Sequence, residues 1–266
     1  MKKSVLFWLL ALAITLAAAY YQRLTGPTYP IENKFIFNGK YFNYKFDRSH
    51  GGDSDHPVSL DVQEHLRNGT LKWKRFKTND EWNFIQMRKE DGKLIAYLPN
   101  QPPAGKLEYQ VILSAGETKK VIPANPVVIR FKGDVPPLVL IPHIIFIFAA
   151  MLLSNRTALE CFVEKPNLKK YTVWTFILLL LGGMILGPIV QKYAFGEYWT
   201  GFPFGTDLTD NKTLIAFVGW IVALIAVFKS EKPKWYILLA AVIMFIIFII
   251  PHSLFGSELD YSTLNE

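Results

Sequence analysis

The sequence predicts a multi-domain membrane protein: an N-terminal membrane anchor, an all-β sandwich of immunoglobulin or fibronectin type, then a four-helix transmembrane bundle. Three observations carry this reading. Of 266 residues, 51% are hydrophobic and 19% charged, whereas soluble domains carry about 25% charged residues. Apolar stretches near the roughly 20 residues needed to cross a bilayer lie at the N-terminus and throughout the second half. Between them, residues alternate with the period of two that marks half-buried strands. The expected boundaries are 1–21 for an anchor or signal peptide, 22–134 for the sandwich, 135–253 for the bundle and 254–266 for a C-terminal tail.

The first apolar run, Val5 to Tyr21, follows Lys2 and Lys3. Ala17-Ala18-Ala19 fits a signal-peptidase site after Ala19. The run nevertheless continues into Tyr20 and Tyr21, an aromatic pair suited to a membrane interface, so an uncleaved anchor is favoured.

In the middle region, KFIFNGKYFNYKF alternates around Asn38-Gly39, a pair that supplies the positive backbone angles of a two-residue hairpin turn. Further strands are expected over Val58–Val62, Thr70–Phe76, Trp82–Arg88, Leu94–Leu98, Leu107–Leu113, Lys119–Ile122 and Val127–Phe131, with turn signals at Asn68-Gly69, Asp91-Gly92, Ala104-Gly105 and Ala115-Gly116. Short strands at this spacing argue for a two-sheet sandwich. The join to the bundle, ending in Pro136-Pro137, is short and stiff.

Four spans are expected beyond it: Val135 to Leu153, Tyr171 to Gln191, Thr213 to Phe228 and Trp235 to Ile250. With the N-terminus inside, Lys2, Lys3, Arg156, Lys165, Lys169, Lys170, Lys229, Lys232 and Lys234 are cytosolic, and Lys192 and Lys212 are the basic residues of the short outer segments. The acids Glu197, Asp207, Asp210, Glu258, Asp260 and Glu266 fall outside. Such an excess of inner cations fixes orientation. It places residues 22–134 and the C-terminus in the periplasm of a bacterial inner membrane. The net charge of +7 is then a topology signal, and a nucleic-acid partner is not expected.

Candidate functional residues cluster on the outer side. His143 and His252 each follow Ile-Pro, and a preceding proline removes a backbone donor. Polar side chains inside the bilayer are costly and mark function by default. The loop Tyr193 to Thr213 is dense in aromatics, glycine and acids, with Tyr198, Trp199, Phe202, Phe204, Asp207 and Asp210. Asp210 or Asn211 is expected to cap the next span. If the spans bundle, His143, His252, Asp207, Asp210 and Glu258 converge on an outer pocket that also includes Tyr198 and Trp199. The simpler alternatives are interfacial belt aromatics, a cap and a solvated turn, with Gly183 and Gly187 serving close helix packing.

In the β region, His50, Asp53, Asp55 and His56 share a Gly-rich loop with metal-compatible spacing, though a solvated loop is the plainer reading and no metal site is assigned. His65 has no evident partner. The single cysteine, Cys161, excludes an intrachain disulfide; beside Glu160 and Glu164 it is not a reactive thiolate. Phosphate-cradling Gly-Lys-Ser/Thr, HExxH, GxSxG and CxxCH signatures do not occur.

The run GPIVQKYAFGEYWTGFPFGTDLTDNKTL, with IPH before it and IPHSLFGSELDY after, resembles a pattern found in uncharacterised bacterial multi-span membrane proteins with an outer β domain. That resemblance implies a fold and no activity. Tyr198, Trp199, Pro203 and Asp207 also echo the tryptophan-rich outer loop of haem-handling cytochrome c assembly proteins, which implies haem chemistry between histidine-bearing spans. Two functions are therefore expected. The first is a non-enzymatic accessory or docking subunit of a periplasm-facing complex, with the lipid bilayer and other membrane or periplasmic subunits as partners. The alternative is an electron-transfer protein holding haem b or a metal on His143 and His252, since two neutral imidazoles suffice as axial ligands.

Overall fold

The computed structural model describes residues 2–62, 68–252, 254, 256 and 258–262. The chain forms two compact units, one drawn from Met1–Pro27 with Val135–Ser257, the other from Thr28–Asp134 with Glu258–Glu266.

The helical unit begins with α1 (Lys2–Thr25) and continues with α2 (Pro137–Glu160), α3 (Leu168–Leu179), a π-helical stretch Leu180–Leu186, α4 (Gly187–Phe195), α5 (Leu208–Lys229) and α6 (Pro233–Ile249). Lys3–Thr25, Pro137–Glu160, Leu168–Phe195 and Leu208–Lys229 are long and apolar enough to cross a membrane. The last helix has 17 residues, about 25 Å of rise. Two shifts from the expected boundaries bear on the site. The helix α2 runs past Leu153 to Glu160, so Arg156 lies within it and not in a cytosolic link. The helix α5 starts at Leu208, because Asp207 accepts the Thr209 N–H at 2.7 Å and caps it. Neither Asp210 nor Asn211 is the cap. Small residues Ala216, Ala223, Ala240 and Ala241 are buried between α5 and α6, which lets backbones approach closely where apolar burial drives nothing. Trp220, fully buried among them, gives its indole N–H to Met244 Sδ at 3.2 Å.

The β unit contains β1 (Ile31–Phe37), β2 (Lys40–Phe46), β3 (Ser49–Gly51), β4 (His56–Asp61), β5 (Asn68–Arg75), β6 (Asn83–Gln86), β7 (Arg88–Glu90), β8 (Lys93–Leu98), β9 (Lys106–Ala115) and β10 (Thr118–Lys132). They pair into a two-stranded hairpin β1-β2, a five-stranded sheet β3-β10-β9-β5-β6 and a three-stranded sheet β4-β8-β7. One core joins all three: Phe42 and Phe46 from the hairpin, Leu60 and Leu98 from the three-stranded sheet, and Leu71, Tyr109, Val111 and Ile129 from the five-stranded sheet. The alternation seen in sequence is the burial pattern itself, since β4 buries every second residue from His56. Asn38 and Gly39 both have positive φ, at 48° and 73°, as the hairpin turn requires.

The Asn68-Gly69 turn does not form. Gly69 lies inside β5, where a Cβ would meet Leu94 Cδ1 at 2.8 Å and Met87 Sδ at 3.0 Å. Its glycine serves close packing, not a turn. The two candidates Lys119–Ile122 and Val127–Phe131 are one strand, β10, with an irregularity between Ile122 and Val127. The short β3 falls in the histidine-bearing loop and pairs in parallel with the end of β10.

Candidate functional site

One polar cluster of the helical unit lies where α1, α2, α5 and the end of α6 meet. His143 sits one residue past Pro142 in α2, and its Nδ1 is 2.9 Å from the Gly182 carbonyl in the π-helical stretch. A carbonyl only accepts, so Nδ1 carries the hydrogen and Nε2 keeps the lone pair. The π turn brings Gly182 so close to α2 that a Cβ would lie 3.0 Å from the Ile147 nitrogen. Gly183 faces Thr213, and a Cβ on Gly187 would lie 3.8 Å from His143 Cε1.

The carbonyls at the end of α6 lack helical partners. Gln22 Nε2 donates to Phe248 O at 2.6 Å and Ile250 O at 3.2 Å, and Lys212 Nζ donates to Ile250 O at 2.8 Å and Pro251 O at 3.4 Å. Lys212, counted from sequence among the basic residues of the short outer segments, is therefore only 4% exposed. His252 follows Pro251 and is exposed, within electrostatic reach of Lys212 and Asp207 and near the neutral His143 ring.

Of the expected pocket, His143, His252 and Asp207 thus share one neighbourhood. Asp210 turns instead into the preceding loop, where it is buried and accepts from Thr200 N at 2.6 Å and Gln191 Nε2 at 3.0 Å. Asn211 Oδ1 takes the Phe202 N–H at 2.6 Å, and Trp199 Nε1 donates to Phe202 O at 3.0 Å. Gly201 is required there, since a Cβ would sit 2.6 Å from Asp210 Cβ. The loop is thus built from below, and it presents Tyr198, Phe202 and Phe204 at 57%, 68% and 82% exposure. Lys192 lies over the Tyr198 ring at 5.4 Å.

Glu258 finds its partners within its own unit. It belongs to the β unit, where Lys77 Nζ and Lys106 Nζ hold its carboxylate at 2.8 and 2.6 Å. These two charge-assisted contacts hold the carboxyl below its usual range against the opposing effect of burial. Tyr261 follows it into the same groove, accepting from Lys106 N at 2.9 Å beneath the Arg75 guanidinium.

In the Gly-rich loop, His50 and His56 meet, with their Nδ1 atoms 3.2 Å apart. Asp55 is spent on the Asn100 N–H at 2.8 Å. No group of three or more His, Cys, Asp or Glu suited to a metal occurs among the described residues. Burial pushes the Cys161 thiol up to about 11, with Glu160 adding to it and Lys234 opposing. His65 lies outside the described residues.

A second buried polar cluster, near the other end of α2, was not singled out from the sequence. Arg156, 2% exposed, pairs with Glu160 at 2.5 Å, and the rings of Phe7, Trp8 and Tyr171 surround its guanidinium at 5.8, 5.5 and 4.9 Å. Asn155 Nδ2 donates to Thr15 Oγ1 at 3.0 Å, and Glu160 Oε1 takes the Asn167 N–H at 2.8 Å. The available signal was the ionisable pair in SNRTALE continuing an apolar run; ending that span at Leu153 hid it.

No protein-family model matches this chain, and no curated protein matches it.

Proposed function

We propose that this multi-pass membrane protein acts without catalysis, as an accessory or docking subunit of a periplasm-facing complex in the bacterial inner membrane. One observation carries the reading: the Tyr198–Asp207 loop is fixed from beneath by Asp210, Asn211 and the Trp199 indole, yet leaves Tyr198, Phe202 and Phe204 uncovered. Rigid aromatics held at low conformational cost are the residues that anchor protein interfaces. The cation asymmetry supports a periplasmic position for this loop and for the β unit. A single core shared by three small sheets supports an immunoglobulin- or fibronectin-like sandwich, in keeping with the outer β domain of the multi-span family that the sequence resembles.

The test replaces Phe204 with a photocrosslinking phenylalanine analogue in membranes of the native host. A discrete protein adduct, lost when Phe202 is also changed to Ala, is the expected result. Crosslinking to lipid alone would reassign the loop to an interfacial belt and sink the docking role.

A second reading, haem b held by His143 and His252, draws on one feature. The Gly182 contact fixes the His143 tautomer and leaves Nε2 free to ligate. On this reading the purified protein shows a Soret band that His143→Ala abolishes. A spectrum without that band removes the haem role and leaves the docking role standing.

A further inference from the structure

His50 and His56 lie on the edges of two different sheets. The strand β3 is outermost in the five-stranded sheet and β4 is outermost in the three-stranded one. Residues 52–55 are the only chain between them. The two rings lie 4.9 Å apart, and the Nδ1–Nδ1 approach of 3.2 Å joins the two edges. His56 is 5% exposed, while His50 lies edge-on to Phe131 of β10 at 5.6 Å.

The protons in this contact can be assigned. His50 Nε2 is 2.7 Å from the Ser54 carbonyl, which only accepts, so that nitrogen carries hydrogen. Neutral His50 then offers a lone pair at Nδ1, and His56 Nδ1–H donates into it. The gap holds one proton. With both rings charged, two N–H groups would stand face to face across the 3.2 Å gap and neither could accept. Protonating His56 puts a charge in a site that excludes water.

We propose that the His50–His56 contact is a proton-operated seam between the two sheet edges, closed while the buried His56 ring is neutral and opened when that ring is charged, releasing the 50–56 segment.

The charges around the seam come from each neighbouring element. Asp47, just past β2, favours a charged His56. Beside β3 stand Arg48 and, on β10, Arg130, whose backbone N–H meets Arg48 O. Lys132 and Asp134 flank Gly51 and Gly52. Asp53 and Asp55 belong to the loop, and Asp55 is held by Asn100. Opposite His56 and Pro57, β8 presents the uncharged Leu98 and Tyr97. Burial, with His50 adding to it, outweighs Asp47 and lowers His56 from 6.5 to about 4. A base depressed in the closed state is neutral there, and the open state takes up the proton first. The seam is therefore fully closed above about pH 6.5 and is lost progressively as pH falls toward 4.

Amide hydrogen exchange on the full chain in detergent reads the seam directly. Between pH 7 and pH 5, protection of the 50–56 amides should fall about twentyfold, while β9 amides keep theirs. The H50Q/H56N double variant replaces the pair with two amides that can hydrogen-bond but cannot titrate, and its protection should change less than twofold. A wild-type loss below threefold, or an equal loss in the double variant, overturns the proposal. If the double variant fails to fold, imidazole C2–H exchange in the unaltered chain decides. One ring titrating well below the ordinary value supports the seam; both rings near 6.5 refute it.

Discussion

Tyr261 is held less by its ring than by its hydroxyl, which accepts from Lys106 N at 2.9 Å and lies 3.0 Å from Gln101 Oε1. Tyr261→Phe keeps the ring beneath Arg75 but orphans the Lys106 N–H in a site with 7% residual exposure. The expected cost is about 1–2 kcal/mol of β-unit stability, read as a lower urea midpoint at unchanged slope; an unchanged midpoint would mean that water replaces the hydroxyl. No sequence signal announced this contact. Glu258 lies six residues from His252 in the chain, which is why the two were expected to share a pocket. The carboxylate's real partners, Lys77 and Lys106, are 181 and 152 positions away. Asp210 failed differently: it was a carboxylate in the right loop, but its oxygens satisfy backbone and Gln191 donors instead of facing a pocket. His143 was legible because an imidazole in an apolar run has few plain uses; that its Nδ1 would meet a π-turn carbonyl was not.

Elements with a strict local period were legible, and those set by distant packing were not. The β1-β2 hairpin follows from Asn38-Gly39 and alternating aromatics, and β4 and β8 follow from their alternation alone. β3 has three residues and exists only because β10 runs alongside it. Asn68-Gly69 carried turn chemistry, but the space beside Leu94 and Met87 decided the role of Gly69. Among helices, the apolar cores were plain and the ends were not. α2 keeps Arg156 and Glu160 because the aromatic rings of α1 and α3 give the guanidinium a place inside the bundle. The break at Leu180–Leu186 leaves no trace in hydropathy; it accompanies the close approach of Gly182 to α2.

For the helical unit as a whole, two links share one end: Cys161 Sγ lies 3.9 Å from Lys234 O, and Lys169 stands 5.3 Å from the Phe228 ring. Gathering the basic links at one end is the arrangement that charge-guided insertion produces. Single cysteines at Lys165 and Lys232 should therefore react from the cytosolic side and one at Glu197 from the opposite side, with little background from the buried Cys161 thiol, raised to about 11. Labelling of all three from the same side would break the proposed topology. The segment from Glu258 to Ser262 adds a practical constraint on such work. It lies folded into the β unit by Tyr261 and by Leu259, whose N–H meets Ala104 O at 3.2 Å. Truncation ahead of Glu258 would take the carboxylate from Lys77 and Lys106 and the hydroxyl from the Lys106 N–H, so reporters for such work belong past Ser262, with the docked segment left whole.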